Sequence, residues 1–329
     1  MILVTGGRGF LGKAIVKLFL ARGERVRSLA RHHCPELEKL GVEQLVGDLA
    51  DEALVQQAAA GCHLVCHVAA KAGVWGDYRD FYRTNVIGTR QVIAACRDQG
   101  VGRLVYTSSP SVVFDGRDME GVDESVPYPA HFHAAYPQTK AEAEQLVLAA
   151  NDTELATVAL RPHLIWGPGD NHLVPRIIER GRAGQLRRIG AGTNLIDAVY
   201  IDNAAIAHVQ AADRLTGGSP LAGRAYFIAN NEPIPLWKLV NNILAAADLP
   251  PVSRSIPSGL AYAVGAILET VYRRLGLQSE PRLTRFVARE LATAHWFDLT
   301  AARRDFGYQP LITTEEGLKR LRQWLATAR

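Results

Sequence analysis

Short apolar runs alternate with longer amphipathic stretches through the first half of the chain. The runs at 2–6, 25–30, 43–47, 63–69, 103–109 and 157–162 are rich in Val, Leu and Ile and too short for helices, so they read as β-strands. Between them, 13–22, 53–60, 84–99 and 136–149 read as helices. Near-continuous apolar strands separated by helices predict a parallel sheet covered on both faces. Right-handed crossovers make it an α/β, doubly wound fold. After Trp166 the rhythm loosens, with Gly and Pro in WGPGD and Arg in RGRAGQLRR. A helix from Asp202 and the strand AYFIAN (225–230) are expected to return to the first domain. The predicted organisation is a larger domain over 1–165, rejoined by 200–230, and a smaller, discontinuous one over 166–199 and 231–329.

The most apolar stretch of the second half, LAYAVGAIL (260–268), ends at Glu269 and is followed by Arg273 and Arg274. It is shorter than the ~20 residues that span a bilayer. A buried helix or pocket wall is expected there, with peripheral contact at a membrane interface as the alternative. Overall the chain is 48% hydrophobic and 21% charged, the balance of an ordinary globular protein. Its net charge of +4 is scattered, with no run of five like charges, so nucleic acid is not an expected partner. The excess suits an anionic ligand. Cys62-His63 and Cys66-His67 lie on one expected strand, where successive residues face opposite ways, and no second ligand pair stands out. No metal site is therefore expected, and Cys34, Cys62, Cys66 and Cys96 read as reduced thiols. The first strand begins so close to Met1 that no targeting peptide is expected, which predicts a cytoplasmic protein.

Two motifs carry chemistry. TGGRGFLG (5–12) follows the first strand and opens the first helix. Gly6, Gly9 and Gly12, with Phe10 and Leu11 between them, let the backbone turn tightly and approach a pyrophosphate at the positive end of the helix. That context identifies a dinucleotide site. An NAD site usually places an acid at the end of the second strand; here that place holds Ala30, followed by Arg31. Arg31, with Arg8 from the glycine loop, favours NADP(H) over NAD(H) by offering guanidinium groups to a 2′-phosphate. Solvated arginines are the alternative.

The second motif is Tyr136-Pro-Gln-Thr-Lys140, at the start of a helix. Its spacing places Tyr and Lys on one helical face. A phenol titrating near ~10 is too weak an acid for neutral pH, and a neighbouring ammonium is expected to lower it. Tyr136 would then protonate a carbonyl oxygen or deprotonate a hydroxyl. Thr107 to Ser111 lie where the fifth strand ends, the edge that faces ligands in such sheets. A serine there can donate to a developing oxyanion; a turn or helix cap is the alternative.

Taken in order, TGGRGFLG, GDLAD, HVAAKAG, TNVIGT, YTSSPSVV, YPQTK and LRPHLIWGPGD resemble the extended short-chain dehydrogenase/reductase superfamily, over nearly the whole chain. The resemblance implies a Rossmann cofactor domain and a catalytic set of Ser109, Tyr136 and Lys140. It implies further that Asp48 and Leu49 contact adenine, and that Lys140 bonds the nicotinamide ribose. Ala69, Ala70 and Asn85 would stand beside the cofactor, with Pro162 and Ile165 beside the nicotinamide. Within the superfamily the chain resembles the 3β-hydroxysteroid dehydrogenase branch, with Val113 where many members have tyrosine. AAKAGVWGDY, VYIDNAAIAH and ARRDFGY bring it nearest to the bacterial 2-alkyl-3-oxoalkanoate reductases of olefin biosynthesis. That resemblance implies NADPH-dependent reduction of a lipid-like 2-alkyl-3-keto acid to the hydroxy acid. Its carboxylate would meet Lys71, Arg79 or Arg83, and its chain an apolar channel including 260–268, Val271 and Tyr272. A 3β-hydroxysteroid or sterol-4-carboxylate dehydrogenase is the near alternative. More distant are a nucleotide-sugar epimerase or dehydratase and a non-catalytic dinucleotide sensor. A homodimer is expected.

Overall fold

The computed structural model describes residues 1–327. Seven strands form the central sheet: β1 (Ile2–Thr5), β2 (Val26–Ala30), β3 (Glu43–Val46), β4 (Leu64–His67), β5 (Arg103–Thr107), β6 (Ala156–Pro162) and β7 (Arg224–Ile228). All pairings are parallel, in the order 3-2-1-4-5-6-7. The strand order reverses between β1 and β4, which opens the ligand crevice at their carboxyl ends. Five helices cover the faces: α1 (Phe10–Ala21), α2 (Glu52–Ala59), α3 (Gly88–Asp98), α4 (Ala135–Ala149) and α5 (Ile201–Arg214). A π-helical turn, Arg83–Ile87, leads into α3.

The unbroken apolar strands are explained by their two packed faces. Ile2 and Val4 join the cluster beneath α1 and α5, while Leu3 between them joins the one beneath α2, α3 and α4. Leu104 and Val105 divide in the same way. Between α4 and β6 lies a buried ion pair. Arg161 donates to both carboxylate oxygens of Glu144, at 3.0 and 2.6 Å, and Tyr128 adds a hydrogen bond at 2.6 Å.

A second sheet holds the short strands Ile234–Pro235, Leu195–Ile196, His295–Phe297 and Met119–Val122, in that order. The chain therefore enters this sheet at Met119, well before residue 165.

Two helices of the C-terminal half, α6 (Ser258–Arg274) and α7 (Arg285–Glu290), pack against each other. The expectation that the apolar helix is buried, or forms a pocket wall, is not met. Its buried seam is Ala261, Gly265 and Glu269. A Cβ on Gly265 would lie 2.7 Å from the carbonyl carbon of Thr284, so only glycine allows this approach to the chain before α7. With small residues taking the contact, the large apolar ones fall outside it: Leu260, Ile267 and Leu275 are 54%, 63% and 67% exposed, with Val264 and Val271 between them. Among the described residues, no helix is long and apolar enough to cross a membrane.

Candidate active site

Along the crevice runs a cavity of about 1350 Å³. At one end the chain turns from β1 into α1. Gly6 has φ +70°, and a Cβ there would stand 2.9 Å from Ala69 Cα, so the glycine allows the loop to touch the end of β4. Thr5 Oγ1 accepts from the Val68 and Ala69 amides, both at 3.2 Å, fixing that end in place. Helix α1 starts at Gly9 without a side-chain cap, which leaves its first-turn amides available to an anion. Ser108 contributes a buried hydroxyl with no partner among the described residues. The cradle, the open helix end and this orphaned hydroxyl fit a dinucleotide.

Of the residues singled out in the sequence, Gly6, Arg8, Gly9, Phe10, Leu11, Gly12, Arg31, Asp48, Leu49, Ala69, Ala70, Pro162 and Ile165 border the cavity, as do Ser109, Tyr136 and Lys140. Asn85 does not. It is buried behind the wall, where its oxygen accepts from Lys71 N at 2.7 Å and its amide donates to Lys71 O and Thr139 Oγ1. It braces the 69–73 loop against α4 instead of facing the cavity. Lys71, Arg79 and Arg83 also lie outside the lining; Lys71 pairs with Asp80 and Arg83 with Asp48. None of 260–268, Val271 or Tyr272 reaches the cavity.

Tyr136 and Lys140 share a face of α4, as their spacing predicts. Burial pushes the Tyr136 phenol up to about 12, against the pull of the Ser109 hydroxyl. The expected lowering by Lys140 is absent. Lys140 Nζ donates instead to Thr107 O at 2.6 Å and lies over the Tyr106 ring at 4.1 Å. Desolvation brings that ammonium down to about 7. Ser109 also caps the Pro110–Val113 turn, accepting from Ser111 N at 3.2 Å. The turn reading and the cavity position hold together.

Several wall residues went unnoticed in the sequence. Glu36 borders the cavity near Arg31, held down to about 2 by hydrogen bonds from Lys13 and Lys17. His163, Phe114, Phe286, Glu290 and His295 also border the cavity; Phe114 packs edge-on to Phe286 and His295, His163 to His295, and the charge of Glu290 bears on the Tyr136 phenol. Only their convergence in space marks them, since they are scattered from 114 to 295. Among the described residues, no group of three or more His, Cys, Asp or Glu side chains is placed to hold a metal ion.

The 3-beta hydroxysteroid dehydrogenase/isomerase family pattern matches residues 3–257. The chain belongs to this family. As a member it is a nicotinamide-dependent oxidoreductase. The 2-alkyl-3-oxoalkanoate reductase of Stenotrophomonas maltophilia is 54% identical over 98% of both chains. The decarboxylating sterol-4-alpha-carboxylate 3-dehydrogenase of Mus musculus is 35% identical over 96% of this chain and 88% of its own. Among solved structures, gox2253 superposes with a TM-score of 0.81 at 26% identity, over 100% of this chain and 98% of that one.

Proposed function

We propose that this family member is an NADPH-dependent reductase of 2-alkyl-3-oxoalkanoic acids, with Tyr136 as proton donor. The observation that carries the reading is the meeting of Ser109, Tyr136 and Lys140 with the glycine cradle in one cavity, in a chain 54% identical to a reductase of that name. When bound, the dinucleotide supplies the hydride. Tyr136, kept protonated by its burial, gives its proton to the ketone oxygen. Ser109 donates a hydrogen bond to the same oxygen as charge builds on it. Lys140, anchored to the Thr107 carbonyl, stands one helical turn away to bond the ribose and restore the proton. Arg8 and Arg31 take part in no ion pair among the described residues, which leaves both available to a 2′-phosphate and supports NADPH. Residues 1–165 with 200–230 would hold the cofactor, and the rest, joined by Met119–Val122, the substrate.

The exposed row Leu260, Val264, Ile267, Val271 and Leu275 recurs at helical spacing beside Arg273 and Arg274. Its apolar and cationic character supports peripheral contact with an anionic lipid surface. A steady-state assay with NADPH or NADH against a 2-alkyl-3-oxo acid and a 4-carboxy-3-ketosteroid tests the reading. The oxo acid with NADPH should be the preferred pair, and Tyr136→Phe should lower kcat by about 10²–10⁴-fold with folding intact. Preference for the steroid would favour the sterol branch, and full activity of the variant would remove Tyr136 from proton transfer.

A further inference from the structure

No free Arg or Lys side chain is available to the carboxylate of an oxo acid beside Tyr136. The Arg and Lys side chains of the wall are Arg8, Lys13, Lys17, Arg31 and Lys140. The first four belong to the glycine loop, α1 and the end of β2. Lys140 donates to the Thr107 carbonyl and is assigned above to the cofactor ribose. The two histidines nearby supply acceptors only, as an account of their protons shows. His163 Nδ1 lies 2.9 Å from the Asp197 carbonyl, which can only accept, so Nδ1 carries the proton. Thr293 spends its hydroxyl proton on Arg289 O at 2.8 Å, so the 2.8 Å bond to His295 Nε2 must be donated by the ring. Burial keeps both rings neutral, His163 near about 4 and His295 near about 3. Each therefore presents a lone pair where it has a free nitrogen.

Glu290 is different. It ends α7 one turn after Phe286, and both side chains border the cavity. No cation or donor pairs with its carboxyl among the described residues, and the Tyr136 phenol feels its charge. Desolvation alone brings it up to about 7, so near neutrality a large share is the acid, a hydrogen-bond donor.

We infer that Glu290, in its acid form, binds the carboxylate of the substrate by an O–H···O⁻ hydrogen bond and selects 3-oxo acids over their esters. The proton is shared between the two carboxyl groups and no bond to carbon changes. Charge-assisted bonds of this kind are the short, strong ones. The inference rests on the oxo-acid reading above.

The test uses the whole protein with NADPH, a 2-alkyl-3-oxo acid and its methyl ester. Glu290→Ala should raise KM for the acid by about 10–100-fold, the range for a hydrogen bond to a charged group. KM for the ester should stay within about threefold. Glu290→Gln, which keeps an N–H donor, should recover most of the loss. A purely structural role would move acid and ester together, and that result, or an unchanged KM for the acid in Glu290→Ala, overturns the inference. Calorimetric titration of the wild type with the 2-alkyl-3-hydroxy acid and its methyl ester needs no turnover. Tighter binding of the acid, weakened in Glu290→Ala, upholds the Glu290 site even if the reductase reading fails; equal binding of acid and ester overturns it while leaving that reading intact.

Discussion

Residue by residue, the neighbours that the fold supplies decide what each polar side chain of the cavity wall does. The glycine loop and the Tyr136–Lys140 pair are local patterns, and all of them border the cavity. Side-chain environment was not legible in the same way. The charge that was to acidify Tyr136 turns toward Thr107, and Asn85, placed beside the cofactor by resemblance, braces the wall from behind. Glu36 shows the same limit on the cavity wall, where Lys13 and Lys17 neutralise a carboxylate that the second strand itself lacks. Cofactor choice should therefore lie with Arg31. Arg31→Asp should raise KM for NADPH about tenfold, a modest effect because the side chain is exposed, and leave NADH within about threefold. Equal changes for both cofactors in parallel assays would assign Arg31 to the solvated surface.

At the level of elements, periodicity located the strands and helices of the large sheet to within a residue or two at most ends. It could not say which way an apolar helix faces. The 260–268 run looked like core, yet Ala261 and Gly265 take the contact and direct Leu260 and Ile267 to solvent. Replacing Val264, Ile267 and Val271 together by Gln should abolish cosedimentation with phosphatidylglycerol vesicles and leave turnover of dispersed substrate unchanged. Wild-type protein that ignores such vesicles, or that instead doubles its mass with concentration through this face, would rule out the lipid contact. A different element junction governs stability. Arg161 and Glu144, 4% and 0% exposed, tie β6 to α4, and Glu144→Gln leaves a buried guanidinium without its counter-charge. Thermal or denaturant unfolding should show a loss of about 3–5 kcal/mol; a loss under 1 kcal/mol would mean that water reaches the site.

For the whole molecule, the half-buried acid on the cavity wall links stability to pH. Desolvation pushes the Glu290 carboxyl of the folded protein up to about 7, above its ordinary 4.5. Below 4.5 it is protonated in both states and costs nothing. As pH rises from 4.5 to 7 the unfolded chain ionises first, so folding loses stability, and above 7 the loss is complete. Glu290→Gln should accordingly match the wild type at pH 4.5 and exceed it by about 2 kcal/mol at pH 8, less than the full shift because the cavity admits water. Melting curves that stay parallel across this range would contradict the desolvation of that carboxyl. The second sheet, meanwhile, orders events in time. Its strands come from four distant stretches, the last at His295–Phe297, whereas the large sheet is complete once Arg224–Ile228 has emerged from the ribosome. Domains tend to form as synthesis proceeds. A nascent chain would thus be able to grip its nicotinamide carrier before the second sheet exists.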